Sequence, residues 1–170
     1  MPKNKFDESV DIIGAEVNLN SAGGSAVALT RYFENAFMLM ADALKNPSFP
    51  EASFKKLQSQ TITGLKTSEK SARAIADRVN TALSYGKTTA QGEFTTEESV
   101  KNITLDDIKE AYRNYITPSR SYLTFVGDIS PAAAKMLAEK AFAKWTGVKL
   151  ALPVIADAQN PAKSEIDFVD

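Results

Sequence analysis

Two residue types that this chain lacks limit the catalytic and metal-binding chemistry it can perform. Its 170 residues include no histidine and no cysteine. Histidine is the commonest general base and the commonest zinc-binding side chain, so Ser-His-Asp catalysis and histidine-ligated zinc are impossible within this chain. The absence of cysteine likewise excludes disulfides, thiolate metal sites and cysteine nucleophiles.

Paired carboxylates are the remaining candidates for acid–base catalysis. The two pairs are Glu97 with Glu98 and Asp106 with Asp107. Both follow a threonine at the start of a predicted helix, where acidic side chains cap the backbone and favour the helix dipole. We therefore interpret both pairs as helix-capping residues. Glu69 and Asp77 are alternative metal ligands, but carboxylates without histidine favour hard cations and need several partners.

The charge balance gives no support to nucleic acid or an anionic membrane as a partner. The chain has 20 basic and 21 acidic residues, a net charge of −1. Residues 51–80 carry a local excess of basic side chains. A solvated helix face with ion pairs three and four residues apart explains this excess, and a basic groove is the alternative. No apolar run reaches the roughly 18 residues of a membrane span, and Met1–Lys5 leads into no signal-peptide core.

Apolar periodicity predicts the elements that position these residues. Helical spacing indicates helices over 6–13, 33–44, 50–83 (interrupted at 67–71) and 131–142, with two more starting near Thr96 and Thr104. Strict alternation over 15–30 across Gly23-Gly24 indicates a β-hairpin that turns at the glycines. Residues 121–126 predict a short, buried strand. The fold class is therefore α+β, a small, mostly antiparallel sheet with helices packed on one face.

Several runs of sequence occur in the order found in one enzyme family. They are Val10–Asn18, Met40–Leu44 with Asn46–Glu51, Leu83–Gly86, Thr96–Val100 with Ile103–Asp107, and Val126–Asp128 before a helix ending at Trp145. Together they resemble the insulinase/pitrilysin family of zinc metallopeptidases, which includes the mitochondrial processing peptidases. The resemblance implies a partial peptidase half-domain over residues 1–147. Residues 148–170 would be a linker and the start of a strand leading to a following half-domain.

The resemblance also implies that this chain is catalytically silent on its own. The family's inverted motif H-x-x-E-H and a later glutamate hold Zn²⁺ with one position open, which lowers the pKa of bound water to about 7. The motif would lie immediately before Lys3. The later glutamate falls at about Gly64, which has no side chain to donate. We therefore expect no catalytic residue, metal ligand or cofactor in this chain, although zinc serves catalytic relatives.

A peptide-binding role does not depend on the metal. The family receives extended peptides by β-augmentation along the strand edge equivalent to Asn18, Leu19, Asn20 and Ser21, where main-chain hydrogen bonds require no particular side chain. An ordinary half-buried strand is the alternative interpretation of these residues.

Three functions are consistent with the resemblance. The first is a non-catalytic module of a metallopeptidase, or of an inactive homologue, that offers a peptide-binding surface and a partner interface. The second is a fragment of an active zinc metalloendopeptidase whose metal motif lies upstream. The third is a purely structural interaction domain. Expected partners are a peptide or unfolded polypeptide and another homologous half-domain or subunit, in a dimer or complex. The resemblance suggests a bacterial periplasm or cell envelope.

Overall fold

The computed structural model describes residues 1–147 and the isolated positions 151, 154 and 166. The chain divides into two compact units. Unit 1 comprises Met1–Phe49 and Lys109–Leu150, and unit 2 comprises Pro50–Ile108 and Ala151–Asp170. Apart from the three isolated positions, the predicted linker and strand start over 148–170 lie outside the described residues.

The fold class predicted from the sequence is confirmed, because the described chain combines helices with one two-stranded antiparallel sheet. In chain order the elements are α1 Lys3–Ile12, β1 Glu16–Asn20, β2 Gly23–Val27, α2 Thr30–Lys45, α3 Glu51–Ser68, α4 Ala72–Tyr85, α5 Glu97–Asn102, α6 Leu105–Tyr115 and α7 Pro131–Phe142, with a 3₁₀ turn over Pro118–Arg120. None of the helices in the described ranges is both long enough and apolar enough to cross a membrane.

The core of unit 1 forms around Phe37 on α2. Apolar residues recur on one face of α2, which buries Ala36, Phe37, Met40 and Ala41. Leu137 and Ala141 of α7 complete the cluster. Three further rings surround Phe37, and their centroids lie 5.9 Å away for Phe33, 5.3 Å for Phe125 and 5.9 Å for Phe142. Aromatic pairs at these separations add to the stability that apolar burial provides.

The hairpin of unit 1 is present where the sequence predicted it, but its turn is not at the glycines. Ser21 and Ala22 form the two-residue loop, while Gly23 and Gly24 lie within β2. The Asn20 side-chain oxygen accepts a hydrogen bond from the Ala22 backbone N–H at 2.8 Å, and this local bond sets the turn. The prediction of a Gly-Gly turn is therefore wrong.

The predicted strand over 121–126 does not join the sheet. Ser121 begins the segment with extended backbone angles. No backbone hydrogen bond links residues 122–126 to another described residue. Phe125 packs on the core of unit 1, whereas Tyr122 and Val126 are almost fully exposed and Leu123 is also exposed. The prediction of a buried strand is wrong because strand formation needs a neighbouring strand as well as a run of apolar residues.

Unit 2 is built on α3, α4 and α5. The long helical pattern is split after Ser68, and Ser71 starts α4 by accepting a hydrogen bond from the Ala74 backbone N–H. The predicted interruption over 67–71 is therefore a helix break. Gln58 of α3 donates from its side chain to the carbonyl oxygens of Val100 at 2.9 Å and Ile103 at 3.2 Å. These two bonds satisfy carbonyl groups at the end of α5.

Candidate peptide-binding edge

The candidate site is the outer edge of β1. In the antiparallel register, Val17 lies opposite Ala26 and Leu19 lies opposite Gly24. Val17 and Ala26 pack against the core of unit 1, so this face of the hairpin is turned towards α2. Asn18 belongs to the other face, where it is exposed. One face of the strand therefore packs against the core, and the other face is exposed to solvent.

The backbone of β1 directs alternate residues away from β2. In a hairpin with a two-residue loop, the residues that flank the loop exchange hydrogen bonds, and bonded and non-bonded pairs then alternate. Asn20 with Gly23 is the flanking pair, so Val17 and Leu19 belong to the non-bonded pairs. Their N–H and C=O groups point to the outer edge of β1. No third strand pairs with this edge in the part of the chain that the structure describes.

The four residues predicted to bind peptide lie together but have different roles. Asn18 is exposed and its side chain has no bond in the described structure. Leu19 turns towards Gly24 and α2, and Asn20 uses its side-chain oxygen in the turn. Ser21 is an exposed turn residue. The hydrogen-bond donors and acceptors that a peptide could use are therefore the main-chain groups of Val17 and Leu19, not the asparagine side chains.

The structure also shows two clefts in unit 1 that sequence reasoning missed. The first, of about 490 Å³, is lined by Gly23 and Gly24 of β2, by Ser121–Leu123, and by Trp145. The second, of about 340 Å³, lies near Ala28 and Val126. The apolar run over 121–126 was the sequence signal for this region, and it gave no indication of the neighbours of the segment.

Gly64 lies in the middle of α3 and its surroundings are open. A Cβ atom added there would meet no atom within 4 Å. The Ser68 hydroxyl donates to the Gly64 carbonyl oxygen at 3.0 Å. Among the described residues, no group of three or more acidic side chains comes together where it could hold a metal ion. The donors present near Gly64 therefore do not fit the zinc centre of catalytic insulinase-type enzymes.

Known proteins resemble this chain in sequence over part of its length and in structure over most of it. A family model described as the peptidase M16 inactive domain matches residues 102–169. The peptidase M16 inactive domain from Pseudomonas fluorescens has a similar structure, with a TM-score of 0.75 at 19% identity over 95% of this chain. A protease from Helicobacter pylori aligns with a TM-score of 0.71 at 18% identity over 92% of this chain. The chain shares the fold of these two structures, and its residues 102–169 match the model of the peptidase M16 inactive domain.

The two solved structures share the fold of this half-domain but little of its sequence. At identities below 20%, they establish the fold alone. The chain spans 40% of the length of the Pseudomonas fluorescens chain and 39% of the Helicobacter pylori chain. No curated protein matches it. The family model that matches describes an inactive domain.

Asp107 and Glu97, one from each carboxylate pair, make contacts at the starts of helices. The Asp107 carboxylate accepts from the Thr104 backbone N–H and from the Thr104 hydroxyl, both at 2.7 Å, and these bonds lower the pKa of Asp107. Glu97 pairs with Lys101 at 2.7 Å and with Lys66 at 3.4 Å. The hydrogen bond from Lys101 is the main cause that lowers the pKa of Glu97. Asp107 therefore caps α6, as the sequence predicted, whereas Glu97 lies in the first turn of α5 and forms ion pairs.

Proposed function

We propose that this chain is a non-catalytic module of an insulinase-family metallopeptidase, or of an inactive homologue, and that it binds extended polypeptide along the outer edge of β1. The observation that carries the proposal is the outer edge at Val17 and Leu19, with which no strand pairs in the described part of the chain. A peptide laid along this edge would gain main-chain hydrogen bonds and extend the hairpin by one strand. Val17 packs one face of β1 against the core of unit 1. This contact holds the strand in place, so its outer edge is preorganised for pairing.

The surface around the edge favours broad peptide selection. Asn18 and Ser25 lie opposite each other on the exposed face, and both are uncharged. Main-chain pairing alone places no demand on the sequence of the ligand, apart from a free N–H at alternate positions. We therefore expect unfolded segments and extended peptides to bind with little sequence preference, and proline-rich peptides to bind poorly.

No chemical step on the bound peptide is part of this proposal. The zinc that serves catalytic relatives needs imidazole or carboxylate ligands around an open position. This chain has no histidine, and Gly64 offers no donor atom. Its own residues would hold and orient a polypeptide, so any cleavage would require another chain or another domain.

A second role, contact with another homologous half-domain or subunit, is supported by exposed apolar side chains in unit 1. Tyr122 is 99% exposed and Val126 is 93% exposed. Both project from a segment whose backbone is not bonded to other described residues. Exposed apolar side chains grouped in this way are typical of surfaces that are covered by a partner, so we propose a dimer or a complex.

The peptide-binding edge is tested by a proline at position 19. Leu19→Pro removes an outward N–H from β1, while Leu19→Ala shortens the same side chain and keeps the N–H. The probe is a peptide of alternating valine and threonine, and the reporter is the side-chain amide signal of Asn18 in a nitrogen-15 NMR titration. We expect saturable shifts for the parent and Leu19→Ala, and binding weaker by about tenfold or more for Leu19→Pro.

The fold of each variant is checked by the fluorescence of Trp145, the only tryptophan, and by circular dichroism. A folded Leu19→Pro variant that shifts the Asn18 signal with the parent's affinity would contradict the proposal. Shifts absent from the parent at millimolar peptide would contradict it equally, and would favour a purely structural domain.

A further inference from the structure

Apolar burial is divided unevenly between the two units. Among the described residues, seven of the buried apolar residues belong to unit 1 and two belong to unit 2. The two in unit 2 are Ala82 and Val100, whose side chains are small. The core cluster around Phe37 lies wholly in unit 1. Because apolar burial is the main term that offsets the entropy lost on folding, residues 50–108 are ordered with less compensation than unit 1.

The longest helix of unit 2, α3, is intrinsically weak. None of its residues is buried. In its second half, four hydroxyl groups each donate to the carbonyl oxygen four residues earlier, and they belong to Thr61, Thr63, Thr67 and Ser68. Bonds of this type slightly destabilise a helix, and β-branched residues and the glycine at position 64 lower its propensity further. The stability of α3 therefore depends on its contacts with other elements.

Those contacts join the helices of unit 2 to one another. Gln58 of α3 donates to the carbonyl oxygen of Val100 in α5, and Lys66 of α3 pairs with Glu97 of α5 at 3.4 Å. In α4, the Arg78 guanidinium lies 5.0 Å from the centre of the Phe94 ring, shortly before α5. The six residues of α5 are too few to form a stable helix alone. Loss of one of these helices therefore removes support from the others.

The ends of the 50–108 segment are held in unit 1. The chain leaves unit 1 after Phe49 and re-enters it at Lys109. The Phe49 ring packs edge-on against Tyr112 with centroids 5.2 Å apart, and the Tyr112 hydroxyl donates to the Leu44 carbonyl oxygen at 2.6 Å. Phe49 has a positive φ of 42°, which is rare for a bulky residue and is kept only where packing holds it. These contacts lie in unit 1, so they can persist when the segment opens.

We propose that residues 50–108 are an insert that opens as one cooperative unit while unit 1 stays folded. The insert is the conformational device, and the contact between Phe49 and Tyr112 keeps its two ends together. The proposal does not depend on peptide binding, because β1 belongs to unit 1 and its outer edge is present in the closed and the open state.

The test is amide hydrogen exchange of the full chain without peptide, under conditions where each amide reports the equilibrium population of its open form. We expect the most protected amides of α3, α4 and α5 to exchange about a hundredfold faster than those of α2 and α7. A common opening should also give the slowest amides of α3, α4 and α5 similar protection.

Two substitutions with opposite effects test whether the insert opens as one unit. Val100→Ala removes buried methyl groups and should speed exchange in α3, α4 and α5 together by about tenfold. Gly64→Ala improves helix propensity and should slow exchange in the same three helices by about fivefold. Leu57→Ala on α3 is the control, because its side chain is 62% exposed, and it should change these rates by less than about twofold. None of the three should change exchange in α2 or α7.

Three results would overturn the proposal. The first is equal protection of α2 and α3, which would mean that the chain opens as a whole. The second is a response to Gly64→Ala that is confined to α3, because separate helices would then open independently. The third is faster exchange in α2 and α7 on Val100→Ala, to the same extent as in α3.

Discussion

Gly24 lies directly opposite Leu19 in the hairpin, and a Cβ atom placed on Gly24 would lie only 2.8 Å from Leu19 Cδ2. The same atom would lie 3.1 Å from Met40 Cγ on α2. Met40 is buried in the core of unit 1 and has little room to move. The absence of a side chain at position 24 therefore allows β2 to lie close to α2.

Substitution of Gly24 by alanine should destabilise unit 1. Overpacking of this kind typically costs about 1–3 kcal/mol in the free energy of unfolding. Urea unfolding followed by Trp145 fluorescence measures the change, since Trp145 belongs to the same unit. Ser25→Ala, on the exposed face of the same strand, is the control and should have little effect. Equal midpoints for Gly24→Ala and the parent would show that Leu19 and Met40 can move aside.

The opposite sign is expected for the same substitution at Gly64. An alanine there meets open space in the interior of α3, where glycine is less favourable than alanine by about 1 kcal/mol. Gly64→Ala should therefore raise the stability of unit 2, as measured by thermal unfolding with circular dichroism. A lower melting temperature would mean that position 64 is already in contact with another molecule.

Addition of a carboxylate at Gly64 should not create a zinc site. A single carboxylate is a weak ligand without the two imidazoles that accompany it in catalytic relatives. We expect Gly64→Glu and its neutral control Gly64→Gln to bind no zinc at micromolar concentration in a calorimetric titration, and neither should cleave a quenched peptide. Tight binding by Gly64→Glu but not by Gly64→Gln would reveal a partial metal site in this chain.

The stability of unit 2 should fall in acid through Asp107. Its bonds to Thr104 lower the pKa of the folded form. The stabilisation from these bonds is therefore present above the unfolded pKa of about 3.9 and is lost as the pH falls through the folded value. Asp107→Asn should flatten this part of the pH profile in urea unfolding between neutral pH and acid. A parent profile identical to that of Asp107→Asn would contradict this role.

The sequence was most informative where structure is decided by neighbours along the chain. Thr104 and Asp107 are three residues apart, and their reciprocal bonds could be predicted as a cap. The helix break before α4 and the alternation in β1 are equally local. The assignment of the hairpin turn was wrong because the turn is set by a neighbouring side chain, while a glycine is required in the strand by tertiary packing. The Asn20 side chain sets the turn, while Gly24 is required by packing against Met40.

Features that depend on distant parts of the chain could not be predicted. Residues 121–126 have the pattern of a strand, but the pattern does not reveal whether another strand lies beside them. The first cleft depends on how β2 and this segment are both placed on the cluster around Phe37, although they lie about a hundred residues apart in sequence. Such placement is a property of packing, and no spacing of residue types encodes it directly.

The central claim, peptide pairing along β1, is tested most directly by amide hydrogen exchange resolved at single residues. In the free chain, the hairpin register predicts slow exchange at Asn18 and fast exchange at Val17 and Leu19. Addition of the valine–threonine peptide should slow exchange at Val17 and Leu19 and leave Asn18 unchanged. Exchange at Val17 and Leu19 that stays fast at saturating peptide would contradict the account.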